Sequence, residues 1–430
     1  MKQIGIGIAG LGTVAQGVLQ ILRDNGEAIA LRSGCEIKVR RVASRTPKPE
    51  VDLLGAEFST SLQDLLEDDR VDIVLELIGG ETVARDLIEQ ALQRGKPVVT
   101  ANKAVIANAG NALFASNQSV PLRFEAAVAG AIPIIAAIQQ GLVANRFEHV
   151  VGIINGTCNY ILTAMQDQGA QFDDALRTAQ ELGYAEADPT FDVGGIDAAH
   201  KLTILLSLAF DTRFDFAALH VEGITEITAE DIKYADELGY KVKQLGIARQ
   251  VADGLEARVH PALVPKQQLL ANVDDVLNAV LVKSDAAGNT MFSGPGAGGA
   301  ATASAVLSDT VAIARDLSQD AQDAMAEPVH AQPQVQTILP ISAISSAHYI
   351  RIPSRDEPGV FAKVAEALSR HGISIEAVIQ KEPPVKQDVV SIVILTEVVV
   401  EEKIIAAVRE VEALEQVVGP VARIRVESLE

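Results

Sequence analysis

Side chains that can donate or accept a proton are concentrated in one stretch, GYAEADPTFDVGGIDAAHK, at positions 183–201. Asp197 and Lys201 are four residues apart, so a helix would place them on one face with the acid first, the favourable order. The apolar run LTILLSLAF follows directly and predicts a buried helix. A charged lysine beside a buried helix needs a partner, so the pair is either a structural cap or part of a catalytic site. The same stretch holds three more carboxylic acids, Glu186, Asp188 and Asp192, and one histidine, His200.

A glycine motif follows the first predicted strand, Gln3–Ala9. Gly10 permits a tight turn, Gly12 lets a pyrophosphate approach the backbone, and Ala15 allows close packing of the next helix. That helix is predicted over 13–26 with Gly26 as its C-cap, and its amino terminus offers the positive end of a dipole to phosphates. The strand–turn–helix context favours a dinucleotide site over a plain turn. We assign the whole motif to the cofactor: Gly10, Leu11, Gly12, Thr13, Val14 and Ala15.

The end of the second predicted strand, Glu36–Ala43, bears on the choice of dinucleotide. An NAD-preferring site places an acidic residue there for the ribose 2′-hydroxyl. Here Ser44 and Arg45 follow the strand, with Lys48 close behind. The two basic side chains either face a 2′-phosphate or form a solvated turn. We therefore expect NADP to be preferred, with NAD as the alternative, and assign Arg45 to the cofactor site.

A lysine and a glycine-rich loop are further candidates for the ligand site. Lys103 follows the predicted strand Pro97–Thr100, and ligands of open α/β sheets bind at the carboxyl ends of parallel strands. The loop GPGAGG at 294–299 precedes a long predicted helix and either closes on the cofactor or is a structural turn. We assign Thr100, Lys103 and Gly298 to the cofactor site.

The order of predicted elements indicates an α/β protein of three parts. Alternating strands and helices over 1–131 predict a Rossmann-type, doubly wound parallel sheet that binds the dinucleotide. Residues 132–325 predict an α+β substrate domain with a largely antiparallel sheet, whose helix 300–317 packs back on the first domain. A proline-bearing linker at 326–347 leads to a compact βαββαβ module at 348–430. Shorter elements are predicted at Pro121–Ala127, Ile132–Leu142 and His220–Ile227.

Composition narrows the class of protein. The chain has 430 residues, 48% of them hydrophobic and 4% aromatic, which is enough aliphatic material for several cores. A formal net charge of −21 argues against nucleic acid or an anionic membrane as a partner. The start, MKQIGIGIAG, does not match a signal peptide, and no apolar run is long enough for a membrane span. We expect a cytoplasmic location.

The two cysteines, Cys35 and Cys158, are too few and too far apart for a disulfide framework or a CxxC metal site. Cys158 lies at the predicted start of an apolar helix that Asn155 or Thr157 caps. Packing is therefore favoured over a nucleophilic thiolate, which counts against an aldehyde-oxidising semialdehyde dehydrogenase.

Several motifs, in order along essentially the whole chain, resemble homoserine dehydrogenase, and DEPGVFAKVAEALSRHGISI resembles an ACT domain. The motifs are GLGTVA, ELIGG, VVTANKA, FEAAVAGAIPII, INGTCNYIL and GYAEADPTFDVGGIDAAHK. The resemblance implies NAD(P)-dependent interconversion of L-homoserine and L-aspartate 4-semialdehyde, in threonine, methionine and isoleucine biosynthesis. It also implies a middle domain that dimerises, giving a homodimer or higher homo-oligomer, and feedback by L-threonine through the ACT domain.

Carried over from the resemblance, Lys201 matches the acid–base lysine and Lys103 the lysine between cofactor and substrate. Glu186 matches the carboxylate that holds the substrate amino group, while Asp192 and Asp197 match acids lining the site. We expect Lys201 to transfer the proton, Lys103 to position the oxygen or share that role, and Asp197 to orient Lys201. A monovalent cation, Na⁺ or K⁺, is implied mostly at backbone carbonyls of Glu125, Val128, Gly130 and Ile132.

Two alternatives remain from the residues. Another ACT-regulated dehydrogenase, such as one for 2-hydroxy acids, would normally need a catalytic His–carboxylate pair. His200 is the only histidine near the acidic cluster, which counts against this alternative. A non-catalytic sensor of dinucleotide and amino acid would have no need of two lysines, one at a strand end and one on a buried helix.

Overall fold

The computed structural model describes residues 1–116, 119–318, 335–381 and 388–429. The chain divides into two compact units. The first comprises Met1–Val150, Ala199–Ala217 and Asn278–Gln336, and the second comprises Val151–Ala198, Ala218–Leu277 and Thr337–Glu430. Within the described residues, no helix is both long enough and apolar enough to cross a membrane.

Eleven elements precede the first passage between units. They are β1 (Lys2–Ala9), α1 (Thr13–Ser33), β2 (Cys35–Ala43), β3 (Glu57–Ser59), α2 (Gln63–Glu67), β4 (Ile73–Glu76), α3 (Thr82–Gln93), β5 (Val98–Thr100), α4 (Lys103–Ser116), β6 (Leu122–Arg123) and the short α5 (Ile134–Ala136).

The middle of the chain contributes β7 (Phe147–Ile153), α6 (Gly156–Gln168), α7 (Phe172–Glu181), α8 (Thr190–Val193), α9 (Ile196–Phe210), β8 (His220–Val221), α10 (Ala229–Glu237), β9 (Tyr240–Val251), β10 (Gly254–Pro265), β11 (Leu277–Ser284), β12 (Gly288–Pro295) and α11 (Gly299–Ser318). The C-terminal module consists of β13 (Ser345–Arg355), α12 (Val360–Arg370), β14 (Ile375–Gln380), β15 (Val389–Thr396), β16 (Val399–Val400), α13 (Glu401–Glu412) and β17 (Ala422–Val426).

The first unit contains a six-stranded parallel sheet in the order β3-β2-β1-β4-β5-β6. Strands β4 and β5 at its centre are fully buried, and helices α1 and α11 pack against β1 in one core. The predicted doubly wound parallel sheet is confirmed. Because every strand is parallel, the carboxyl ends meet at one edge, where the glycine motif follows β1 and Lys103 follows β5.

Three predicted element bounds are wrong. Helix α1 does not end at Gly26 but continues to Ser33, where Gly34 adopts a positive φ of 79° as the C-cap. The predicted strand over 121–127 is only β6, because Glu125 turns into a 3₁₀ helix whose first N–H is bound by the carboxylate of Asp309 at 2.8 Å. The strand predicted over 220–227 ends at Val221, since the N–H of Ile224 turns to the carbonyl of Val193 at 2.9 Å.

The predicted helix over 132–142 is also irregular. It consists of α5 and a π-helical turn at Ala137–Gly141. The carboxylate of Glu125 holds its start by accepting the N–H groups of Ile135 and Ala136, each at 2.8 Å. A buried carboxylate from outside the helix therefore satisfies orphan donors that a local cap would otherwise bind.

In the second unit, one sheet joins the middle region to the C-terminal module. Strands β9 and β10 form a long antiparallel hairpin, and β17 pairs in parallel with β10. Beyond β17 the order continues β13-β15-β14, all antiparallel. The predicted βαββαβ order of the module is confirmed, with the two-residue β16 added.

Each face of the module's sheet is covered. Alternate residues of β13 and β15, such as Ile350 and Ile394, pack with α12 and α13 in one core. On the opposite face Tyr349, Val393 and Ile424 share a core with residues of α6, α7 and α10. The module is thus packed into the second unit. Of the predicted linker 326–347, residues 326–334 lie outside the described part, while Thr337 and Leu339 hydrogen-bond with Leu255 of β10.

Val393 tests this shared core because it is 1% exposed, whereas Val398 a few residues on is 68% exposed. Val393→Ala removes two buried methyl groups and leaves a cavity, so we expect a loss of roughly 2 kcal/mol in the free energy of unfolding. Val398→Ala should change it by less than about 0.5 kcal/mol. Urea denaturation of both variants measures the difference. Equal losses would mean that the module's inner face contributes nothing to the second unit.

Candidate active site

The glycine motif forms an open cradle at the end of β1. Gly10 has a positive φ of 99°, and a β-carbon placed on it would lie 2.6 Å from the carbonyl oxygen of Leu77, so glycine is required there. Gly12 is the N-cap of α1, and a β-carbon on it would meet no atom within 4 Å. Ala15 is fully buried in the core. The motif therefore offers free space directly before a helix amino terminus, which suits a phosphate.

The glycine-rich loop before α11 lies against the same cradle. A β-carbon on Gly17 of α1 would lie 2.6 Å from the carbonyl oxygen of Gly299, and one on Gly299 would lie 2.8 Å from the Thr13 methyl group. Gly298 has a φ of 113°. Helices α1 and α11 therefore pack backbone to backbone, with the start of α11 beside the first turns of α1. The predicted cofactor residue Gly298 lies next to the motif.

The basic residues after β2 lie at the same edge of the sheet. The N–H of Gly10 donates to the carbonyl of Ala43 at 2.7 Å, which ties the start of the glycine motif to the end of β2. Arg45 follows two residues later and is exposed, and Lys48 is partly buried. No acidic residue occupies the end of β2. This leaves the cradle without a carboxylate at the usual ribose position.

A buried carboxylate that the sequence did not mark supports Lys103. Glu76, at the end of β4, accepts the Thr100 hydroxyl at 2.5 Å and the N–H of Ile78 at 2.9 Å. Thr100 in turn accepts the N–H of Asn102 at 2.9 Å, and the Asn102 amide donates to the carbonyl of Gly80 at 2.7 Å. Lys103, the first residue of α4, is thus placed by a chain of hydrogen bonds across two neighbouring strand ends.

The helices that carry the two lysines are tied together in the first unit. The Asn111 amide of α4 donates to the carbonyl of Phe214 at 2.7 Å, and the N–H of Phe214 returns a bond to the Asn111 amide oxygen at 3.1 Å. Phe214 lies a few residues beyond the end of α9. On α9 itself, Lys201 is 8% exposed and His200 stacks on Phe216 with ring centres 4.3 Å apart. Asp197 precedes Lys201 by one turn of this helix.

In the second unit one amide joins two of the predicted substrate acids. The Nδ2 of Asn155 donates to Asp192 at 2.8 Å and to Asp197 at 2.9 Å. Its Oδ1 accepts the N–H of Cys158 at 2.8 Å and so caps α6, as the sequence predicted for Asn155 or Thr157. The bridging was missed because a cap is recognisable from local sequence, whereas both carboxylates lie far along the chain.

The remaining predicted side chains occupy different environments. The Glu186 side chain is exposed, and its carbonyl accepts the Gln180 amide at 3.0 Å. The hydroxyl of Thr157 donates to the carbonyl of Tyr184 at 2.5 Å. Cys158 is fully buried, and its thiol donates to the carbonyl of Asp192 at 3.2 Å. This thiol packs against the acidic segment and supports it.

The segment proposed for a cation is tightly folded in the first unit. Ala129 and Gly130 have positive φ values of 55° and 58°, and a β-carbon on Gly130 would lie 2.6 Å from the carbonyl oxygen of Gly296. The carboxylate of Glu125 is already bonded to α5, although burial raises its pKa. A cation here would therefore be held by main-chain oxygens. Among the described residues, no three His, Cys, Asp or Glu side chains are grouped as a metal site.

Glu76 predicts a pH dependence of stability. Burial raises its pKa to about 7 from an ordinary 4.5, against the opposing hydrogen bond from Thr100. The folded state then binds the proton more tightly than the unfolded state. The contribution of Glu76 to the free energy of unfolding is therefore fully present below pH 4.5 and is lost as the pH rises towards 7. We expect wild type to lose about 3 kcal/mol relative to Glu76→Gln over this range.

Urea unfolding of wild type and Glu76→Gln at pH 5 and pH 8 measures the Glu76 effect. The exposed Glu27→Gln controls for the loss of any one carboxylate. Parallel pH profiles for wild type and Glu76→Gln would contradict the raised pKa.

Comparison with known proteins gives the family. The family model Homoserine dehydrogenase matches residues 133–311, the model Homoserine dehydrogenase, NAD binding domain matches 10–125, and the ACT domain model matches 348–416.

Individual relatives agree with these matches. Homoserine dehydrogenase of Pseudomonas aeruginosa is 48% identical over 434 residues, covering 100% of both chains. The crystal structure of a homoserine dehydrogenase from Thiobacillus denitrificans is 49% identical, covers 100% of this chain and 99% of its own, and superimposes with a TM-score of 0.94. A hyperthermophilic archaeal homoserine dehydrogenase in complex with NADPH is 26% identical, with a TM-score of 0.60 over 72% of this chain and 97% of that one. The chain belongs to the homoserine dehydrogenase family, with an NAD-binding domain and a C-terminal ACT domain.

Proposed function

We propose that the protein interconverts L-homoserine and L-aspartate 4-semialdehyde with a nicotinamide dinucleotide, in the biosynthesis of threonine, methionine and isoleucine. The observation that carries the proposal is helix α9, which presents Asp197 and Lys201 one turn apart, with Asp197 bonded to the amide that also holds Asp192. Capping a helix does not require a second carboxylate fixed beside the first. Binding an amino-acid substrate does benefit from two carboxylates, because the substrate carries an ammonium group.

The dinucleotide supplies a hydride acceptor and donor when bound. Residues of this chain suit it: Gly10 and Gly12 leave room at the start of α1, and Gly298 lies beside them. NADP is the preferred cofactor, because Arg45 stands where an NAD site has an acid and can face a 2′-phosphate. The archaeal neighbour in complex with NADPH is consistent with this preference.

Lysines carry the proton transfer. Lys201 takes the proton from the substrate hydroxyl during oxidation and returns it to the aldehyde oxygen during reduction. Lys103, at the carboxyl end of β5, positions that oxygen or shares the transfer. Asp197 is a hydrogen-bonding acid one turn before Lys201, and its role is to orient the ammonium group.

The acidic residues bind the substrate's amino end. Glu186 is exposed on the segment that leads to α8, and its anion suits an ammonium group. One neutral amide fixes Asp192 and Asp197, so two carboxylates are held close together, as a site for a cationic group requires. This arrangement favours a cationic amino group over a simple hydroxy acid.

Three further properties rest on the family likeness. A monovalent cation, Na⁺ or K⁺, would bind main-chain oxygens around Glu125, Val128, Gly130 and Ile132. L-Threonine would act as an inhibitor through the ACT domain. The protein would work as a homodimer or a higher homo-oligomer.

One assay panel tests the function. Purified protein is given L-homoserine with NAD or NADP, with and without threonine and with K⁺ or Na⁺, and reduced cofactor is followed by absorbance. We expect homoserine-dependent reduction, faster with NADP, and a lower rate with threonine. Cofactor binding without any homoserine-dependent turnover would instead favour the sensor, and a rate unaffected by threonine would end the regulatory proposal.

Lys201→Ala tests the proton role. Loss of the positioned acid–base group should lower kcat for homoserine oxidation by about 10²- to 10⁴-fold, while cofactor binding, measured by fluorescence titration, is retained. The exposed Lys233→Ala controls for loss of a lysine. A kcat near that of wild type would leave no proton role for Lys201.

A further inference from the structure

An ion cluster around a buried arginine lies where the C-terminal module meets the middle region of the second unit. Arg425 of β17 is 2% exposed, and its guanidinium donates twice to Glu222, at 2.7 and 2.9 Å. The same group also donates to Glu401 at the start of α13, at 3.1 and 2.6 Å. His220 adds a contact to Glu222 at 2.7 Å. Glu222 is thus held from the module by a two-pronged charged pair, the strongest kind of polar contact.

Electrostatics keep Glu222 ionised in this place. Burial acts to raise its pKa, but the hydrogen bonds from His220 and Arg425 outweigh burial and leave the pKa below its ordinary value. Burial likewise opposes the charge on Glu401, and the bond from Arg425 lowers its pKa as well. Glu222 and Glu401 therefore both remain ionised beside the Arg425 guanidinium.

The backbone after Glu222 packs directly on the segment between the substrate acids. A β-carbon on Gly223 would lie 2.4 Å from the carbonyl oxygen of Val193 and 2.9 Å from the α-carbon of Gly194. The two backbone segments are therefore in contact at a position where only glycine fits. The N–H of Ile224 donates to the carbonyl of Val193 at 2.9 Å. Residues 222–224 form the support for the turn at 193–195.

The supported turn sits between the two carboxylates that Asn155 bridges. Asp192 precedes it at the end of α8, and Asp197 follows it in the first turn of α9. The turn has a tight geometry, with Gly195 at a φ of 84° and a β-carbon there lying 3.2 Å from the carbonyl oxygen of Glu222. A shift of Glu222 therefore changes the spacing of Asp192 and Asp197.

A second charged link between the same regions serves as a contrast. Arg351 of β13 donates to Asp231 of α10 at 2.6 and 3.0 Å, and the Tyr349 hydroxyl donates to Asp231 at 3.0 Å. Asp231 is fully buried, and its other carboxylate contacts are with Thr228, where it completes the capping box of α10. This link secures the module to α10, and none of these hydrogen bonds involves residues 193–195.

We propose that Glu222 is a positioning residue for the substrate acids, and that Arg425 of the ACT domain holds it in place. The module then forms part of the mechanical support of the substrate site. The kinetic form of this inference rests on the proposed function, because it is Asp192 and Asp197 that are assigned to homoserine.

The test compares Glu222→Gln with Asp231→Asn in the full-length protein. Both changes turn a carboxylate that pairs with a module arginine into an amide, and both should lower Tm by several degrees. Asp231 is fully buried, whereas the Glu222 side chain is 35% exposed. Only Glu222→Gln should raise KM for homoserine, by roughly three- to tenfold, with kcat and KM for the dinucleotide changed less than about twofold. Glu222→Asp, which keeps the charge, should recover part of the loss.

A second readout does not depend on activity. Hydrogen–deuterium exchange, followed on peptides covering 188–198 and 222–226, should be faster in Glu222→Gln and unchanged in Asp231→Asn. Wild-type KM and exchange in Glu222→Gln, or equal changes in both variants, would overturn the inference. If wild type does not oxidise homoserine, the proposed function fails, and the exchange comparison alone still decides the role of Glu222.

Discussion

The guanidinium of Arg425 is a permanent positive charge inside the second unit, and the structure around it is arranged to keep that charge paired. A buried ion costs several kcal/mol to desolvate unless carboxylates with good geometry accompany it. Glu222 and Glu401 supply them from opposite sides. Arg258 of β10 is a second paired guanidinium between the middle region and the module, since it is fully buried and donates to Glu427 just after β17. The Arg258–Glu427 pair opposes a shift of β17 along β10, because a shifted register would separate the two charges.

Contacts between the ACT domain and the middle region explain why this domain is part of the second unit and not a separate body. Its sheet has one apolar face for α12 and α13, and a second that α6, α7 and α10 cover. Helix α6 also carries at its cap the Asn155 amide that joins Asp192 to Asp197. Packing of the C-terminal module and placement of Asp192 and Asp197 therefore depend on the same few elements of the second unit.

The dinucleotide half relies on contact between backbones. Close approach of Gly17 to Gly299 brings α1 and the start of α11 together because no β-carbon separates them. In the same way Gly10 lets the turn after β1 lie against Leu77, the residue after β4. Glu76 adds a polar element to this apolar sheet, and its raised pKa is the result of placing a carboxyl group in the core to order Thr100 and the start of α4. Lys103 is thereby held at the start of α4, shortly after the end of β5.

By itself the sequence determined the glycine motif, the parallel direction of the strands in the first sheet, the Asp197–Lys201 spacing on a helix and the βαββαβ module. These are local patterns, set by periodicity and by residues a few positions apart. Only the tertiary structure decided that β17 continues the middle region's sheet, that Asn155 bridges two acids about forty residues away, and that Arg425 reaches Glu222. It also decided that the strand predicted at 220–227 stops at Val221, because Ile224 is drawn to Val193. The physical reason is the same in each case: a partner distant along the chain, which no local pattern encodes, satisfies a buried charge or a backbone N–H group.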